Sequence, residues 1–138
     1  MKKLKMVDPK IRTYFRKINA FVLRDNRFKL KQRIELATYN DYPDAVSNNA
    51  QRGIDLNLAV GNKCATPVGK IRAQQLAQKK NISVETIQRM YAYLSRAEEF
   101  YNPDDNTACG TISFLLWGGL AGKRWSAAKL KELGLFNG

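Results

Sequence analysis

The sequence predicts an all-α protein, a compact multi-helix domain preceded by a basic N-terminal helical arm. Three observations carry this reading. Apolar residues recur at helical spacing in several segments, cap-forming residues stand just before those segments, and glycine, asparagine or proline stands where they end. The arm is placed at residues 1–41 and the compact module at residues 42–138.

Asp8 and Pro9 form a helix start, an N-cap acceptor followed by a ring whose φ is already helical. Ile11, Tyr14, Phe15, Ile18 and Val22 follow at helical spacing and leave Lys10, Thr13, Arg16, Lys17 and Arg24 on the other faces, an amphipathic basic helix. The pattern breaks at Asp25 and Asn26 and resumes with Leu30, Ile34 and Ala37. Alternation at Phe28, Leu30 and Gln32 leaves a short strand open, but the spacing favours helix. Residues 40–45, NDYPDA, carry turn chemistry, since Pro43 disfavours the helical region for Tyr42. Asp44 is then expected to cap a helix from about Ala45 to Asn57, ended by Gly61 and Asn62.

Thr66 and Pro67 open the next helix as cap and first-turn residue, and Gly69 and Ala73, four apart, offer another backbone a close approach. Ser83 caps the following one, with Ile82 and Ile87 positioned as a hydrophobic staple. Ile87, Met90, Tyr91, Leu94 and Tyr101 share its apolar face, and Asn102 and Pro103 terminate it. The apolar run in GTISFLLWGG is too short for periodicity to separate a buried helix from a strand; its helical neighbours argue for helix. The last segment, AGKRWSAAKLKELG, reads as a helix with Trp125, Ala128 and Leu133 inward, Gly134 at the C′ position and Leu135 placed for a Schellman contact.

Charge is concentrated at one end. Twelve of the 24 lysines and arginines lie in the first 33 residues, opposed only by Asp8 and Asp25, so that segment carries +10 of the chain's +12. Each cation set on a phosphate releases a condensed counterion and strengthens binding at low salt. Lys10, Arg12, Arg16, Lys17, Arg24, Arg27, Lys29, Lys31 and Arg33 are therefore the candidate contacts to nucleic acid or another polyanion. Tyr14, Phe15, Phe21 and Phe28 interleave with them and, at helical spacing, read as core before they read as base-stacking groups. No zinc finger, RNA-recognition signature or leucine heptad supports sequence-specific reading.

Other classes are narrowed by what the chain lacks. The absence of histidine removes the commonest general base and metal ligand, so Ser47, Thr66, Ser83 and Ser113 have no such base, and neither a catalytic residue, a metal nor a cofactor is expected. The two cysteines, Cys64 and Cys109, are too few for a disulfide scaffold and are expected as buried structural thiols in a reducing compartment, although they become neighbours if their two stretches pack together. The longest mainly apolar stretch, ISFLLW, is six residues including one serine, far short of the ~18 to 20 of a membrane span. MKKLKM resembles the start of a signal peptide, but no apolar stretch of ~7 to 15 residues follows, and export by that route is not expected.

WGGLAGKRW meets neither the Walker pattern nor the dinucleotide fingerprint and reads as turn glycines between two helices, with Trp117 and Trp125 burying the joint. Glu98, Glu99, Asp104 and Asp105 lack calcium-loop order and are expected to be exposed. Arg72 and Arg89 lie in apolar helical regions, where an arginine pairs with a carboxylate such as Glu85 or reaches a partner. With Lys123 and Arg124 they are the candidate partner contacts.

Four strings stand in fixed order: YPDAVSNNAQRGIDL (42–56), CATPVGKIRAQQLAQKKNIS (64–83), ETIQRMYAYLSR (85–96) and CGTISFLLWGGLAGKRWSAAKL (109–130). Their order resembles a small helical module associated with tailed-bacteriophage head-morphogenesis proteins, with patterns similar to TxxGxxRAxxLAxxxxIS, TIxRMxxFxxR and AWxxWGGxxGxxWA. Phe114 and Leu115 depart from the usual alanine and tryptophan, and Tyr93 stands where phenylalanine is frequent, changes conservative in volume. The resemblance implies a phage or prophage origin and a structural or packaging context, and together with the basic arm it leads to the expectation of a non-enzymatic virion protein of the capsid head or connector, located in the phage particle and in the host cytoplasm during assembly. Its partners would be other virion proteins, with DNA read without sequence specificity or an acidic protein surface beneath the arm, and no membrane. The alternative is a free DNA-binding accessory protein of phage replication or regulation. A small nuclease fits least, because acids and bases do not cluster along the chain.

Overall fold

The computed structural model describes residues 36–137 continuously, together with residues 26, 27, 29 and 32–34. The predicted helix from Asp8 to Val22 lies outside the described residues. Those described before Ala37 are helical, as the spacing of Leu30 and Ile34 predicts.

Ala37–Gly138 form one compact unit, which therefore takes in residues 37–41 as well as the module from 42 onward. β1 (Thr38–Tyr39) pairs antiparallel with β2 (Ile82–Ser83), Thr38 opposite Ser83 and Tyr39 opposite Ile82. Five helices follow in the order α1 (Asp44–Ala59), α2 (Pro67–Ala77), α3 (Val84–Ala97), α4 (Cys109–Leu116) and α5 (Gly119–Glu132). The unit is all-α apart from this two-residue ladder.

Local chemistry accounts for most boundaries. The Thr66 hydroxyl accepts from the Gly69 amide at 3.2 Å and the Ser83 hydroxyl from the Thr86 amide at 3.2 Å, the two caps the sequence predicts. Asp44 does not cap α1. Its backbone is already in the first turn behind Pro43, and its carboxylate, placed where the helix dipole favours negative charge, pairs with Lys79 at 3.0 Å. α1 ends through Gly61 and Asn62, at φ 79° and 57°, and buried Asn57 ties the turn together. Its amide donates to the Cys64 carbonyl at 3.0 Å, and its side-chain oxygen accepts from the Cys64 N–H at 2.9 Å. α3 stops at Ala97, ahead of Asn102, because a 3₁₀ turn over Glu98–Phe100 intervenes; Tyr101 then reaches the core from extended backbone and stacks on Phe114 at 4.8 Å. The ambiguous apolar run is helix, with Thr111, Ile112, Phe114, Leu115 and Leu116 all buried. At the far end Gly134 takes φ 73° and the Leu135 N–H donates to the Leu130 carbonyl at 2.7 Å, the expected Schellman closure.

α1 packs on α2 and α4, and α3 packs on α5. Tyr42, Val46, Leu76, Ile87, Met90, Leu94, Phe114 and Leu130 fill the main core, and Cys64, Ala73, Ile112 and Leu116 a second one. The close approach falls at Gly53, where an added Cβ would lie 2.8 Å from the Leu116 backbone nitrogen. Gly69 meets a side chain, the Trp117 indole nitrogen at 3.3 Å from its missing Cβ. Gly118 and Gly119, at φ 106° and 65°, make the α4–α5 joint, the turn role expected of them.

That joint sets the rotation of α5 and corrects its inward face. Gly122, Ser126, Lys129 and Leu130 are buried, whereas Trp125 and Leu133 are half-buried and Ala128 is exposed. Trp125 packs edge-on against Tyr42 at 5.3 Å, away from the joint, which Trp117 closes without it. The cysteines are also corrected: Cys64 and Cys109 form a disulfide with Cα atoms 5.2 Å apart, tying the α1–α2 turn to the first residue of α4. Their separation of 45 residues hides this in sequence, since the packing of α4 on α1 brings them together.

Candidate functional site

One concavity in the compact unit is built around Trp117. This residue follows the last turn of α4, with the left-handed Gly118 behind it, and Tyr93 of α3 stacks on its indole at 5.0 Å with 29° between the rings. Ser113 lies one turn earlier on α4, and Thr66 with Ala65 precedes α2. These five residues line a cavity of about 300 Å³. Ala65 holds φ 70°, a left-handed conformation that costs a non-glycine residue energy.

Cations border this cavity. The Arg72 guanidinium lies 5.7 Å from the centre of the Trp117 ring, Nη1 donates to Gln75 Oε1 at 2.6 Å, and Nε is buried without a hydrogen-bond partner. Burial first, and the charge of Arg89 second, hold Arg72 below the usual guanidinium value, with Glu85 pulling the other way. Tyr93 is raised by burial, while its Ser113 hydrogen bond and the charge of Arg96 pull it down. Arg89, Tyr93 and Arg96 are spaced i, i+4, i+7 along α3, so two positive charges flank the aromatic wall on one helix face.

The predicted contact residues that the structure describes can now be placed. Arg89 pairs with Glu85 at 2.7 Å across one helical turn, as expected of one of the two arginines. Arg72 does not share that carboxylate and instead lies over Trp117. Lys123 pairs with Glu98, and Arg124 is exposed. Glu98 is thereby half-buried and engaged, contrary to expectation. Asp105 is also engaged: it accepts from the Thr107 hydroxyl and amide and from the Ala108 amide, which holds its carboxyl below the usual range. Glu99 and Asp104 are exposed as expected. Of the arm residues, Arg27, Lys29 and Arg33 are exposed and helical, whereas Lys10, Arg12, Arg16, Lys17, Arg24 and Lys31 lie outside the described residues. Among the described residues no three acidic or cysteine side chains gather as a metal site, and no helix is long and apolar enough to cross a membrane.

Sequence reasoning missed Tyr93, Ser113 and Arg96 as site residues. The Arg89–Tyr93–Arg96 spacing was the available signal; the approach of α2 and α4 that completes the cavity was not. A second depression, about 270 Å³, lies between α1 and α2, walled by Ile54, Ile71 and Leu116 with Lys70 and Asn62 at its rim. Leu58 and Ile71, two of the five large hydrophobics exposed among the described residues, line it, and Val68, a third, is exposed in the first turn of α2. Comparison with protein-family models, with curated proteins and with solved structures finds no match to this chain.

Proposed function

We propose that this protein is a non-catalytic bacteriophage virion component, held within the head or connector by its compact helical body while its basic N-terminal segment lies against DNA or an acidic protein surface. The observation that carries the reading is charge segregation. In the body, Asp44, Glu85, Glu98 and Asp41 with Glu132 are occupied by Lys79, Arg89, Lys123 and Lys129, while the first 33 residues hold +10 with two acids between them. Such a field raises the local concentration of any polyanion and speeds its association. The apolar side of α1 and α2 at Leu58, Val68 and Ile71 supports a docked body, since exposed apolar patches mark interaction surfaces.

The disulfide favours the particle over the alternative of a free accessory protein acting in the host cytoplasm. Disulfides persist on virions and outside cells, whereas cytoplasmic reductants keep thiols reduced. Mass spectrometry of purified particles tests the reading. A fixed copy number per particle, with the Cys64–Cys109 peptide pair recovered oxidised, is expected. Absence from particles combined with duplex-DNA binding by the free protein would transfer the function to replication or regulation.

A further inference from the structure

We propose that the groove between α1 and α2 is a docking site for a second copy of this chain, which inserts its Phe100 and sets Glu99 and Asp104 against Lys63 and Lys70. The contact belongs to the compact body, goes beyond the virion reading and stands without it.

Groove and occupant match in shape and in sign. Ile54 and Leu58 wall the groove from α1 and Ile71 from α2, with Leu116 also lining it. Its volume of about 270 Å³ is below the usual range of a small-molecule site and suits a single large side chain. Leu58 and Ile71 are exposed, so the chain's own fold leaves their apolar surface in water. Residues 51–80, which contain both walls, hold six lysines and arginines against one acid, Asp55, whereas the rest of the compact unit holds six against eight. Lys70 lines the groove and donates to the Asn62 carbonyl at 2.9 Å, and Lys63 follows Asn62 in the chain. Among the described residues neither lysine meets a carboxylate.

The complementary feature lies elsewhere on the same body. Phe100 is exposed at the end of the 3₁₀ turn Glu98–Phe100, with Glu99 before it and Asp104 after it, both exposed and in no ion pair among the described residues. The segment is already ordered. The Asn102 N–H donates to the Thr111 hydroxyl oxygen at 3.1 Å, and that hydroxyl donates back to the Asn102 carbonyl at 3.0 Å, so little order has to be gained on docking. An aromatic anchor with carboxylates beside it, entering an apolar cleft rimmed by lysines, covers three of the five exposed large hydrophobics and pairs charges that each copy leaves unpaired. Duplex DNA would use the lysines and leave Leu58 and Ile71 in water. Because groove and turn are different surfaces, the contact is heterologous, and a copy that donates Phe100 keeps its own groove open for the next.

Sedimentation of the full chain tests this, at ~0.15 M salt so that repulsion between basic arms is screened beyond about 8 Å. The unmodified protein should associate past the dimer as concentration rises. Phe100→Ala and Ile71→Glu each remove one half of the contact and should raise the dissociation constant about tenfold or more, and both should melt with the unmodified protein because both positions are exposed. An equimolar mixture of the two variants rebuilds a single contact, since Phe100→Ala keeps a groove and Ile71→Glu keeps a turn. That mixture should form a dimer that grows no further, a rescue that unspecific adhesion does not give. Failure of the mixture to dimerise while the unmodified protein associates overturns the proposal, as does an unmodified protein monomeric to ~1 mM. In the monomeric case Lys70→Gln identifies the occupant: lowered duplex-DNA affinity assigns the face to nucleic acid, and unchanged affinity assigns it to a different acidic protein.

Discussion

Two buried side chains, together with Tyr93, contribute to how this protein responds to alkali. Tyr42 is 1% exposed, its hydroxyl donates to the Lys80 carbonyl at 2.7 Å, and burial pushes its pKa up to about 12. The folded state therefore holds the phenolic proton more tightly than the unfolded chain. The resulting stability is complete below about pH 10 and is lost as pH rises towards 12, a fall of about 3 kcal/mol. Lys129 adds to the same slope. Burial works against its charge, but hydrogen bonds to Asp41 at 2.7 Å and Glu132 at 3.3 Å hold its pKa above the usual value, so its contribution is also full below the unfolded lysine value and disappears above the folded one. Urea melts across this range should show a steep decline above pH 10. Tyr42→Phe should be less stable by about 1 kcal/mol at pH 7 and visibly flatter in alkali. At this scale the Arg89–Glu85 pair was legible, because its spacing is a property of the helix alone. The Lys129–Asp41 pair was not, since 88 residues separate its partners and only folding makes them neighbours.

Among the elements, the caps and stops were written locally: Thr66, Ser83 and Gly134 act on backbone groups within a few residues, so their roles survive any tertiary arrangement. Rotation of an element is different, and α5 shows it. Its polar and small residues fit several inward stripes, and the Gly118–Gly119 joint chose the one that buries Lys129 and exposes Ala128. Two substitutions test the packing of elements. Gly53→Ala should cost about 1 to 3 kcal/mol despite alanine's better helix propensity, because the new methyl meets the α4 backbone, which cannot swing aside as a side chain can. Replacing Cys64 and Cys109 together by alanine should cost about 4 kcal/mol, from the freedom returned to a 45-residue loop in the unfolded chain. That is a large share of an ordinary domain's ~5 to 15 kcal/mol, so the reducing-agent dependence of the melting temperature gives a second reading of the same bond.

For the whole molecule the dominant fact is the unequal distribution of charge, and its expected signature is in salt dependence. Duplex-DNA affinity should fall steeply with salt. Neutralising Lys10, Arg12, Arg16 and Lys17 to glutamine in the full chain should shrink the slope by about 0.9 for each phosphate that no longer meets a cation. An unchanged slope would assign the arm to a protein surface. The sequence by itself determined the all-α class, the arm-and-body division of charge and the start of each helix from α2 to α3. These follow from composition, from 3.6-residue periodicity and from backbone groups within one turn, all of which are local. Only the tertiary structure decided the Cys64–Cys109 bond, the contact of Gly53 with α4 and the meeting of Thr66, Tyr93, Ser113 and Trp117 around one cavity. Each joins residues from different parts of the chain that only helix packing brings together, and the angle at which two helices pack is fixed by side-chain shape along their whole contact, which no single stretch of chain records.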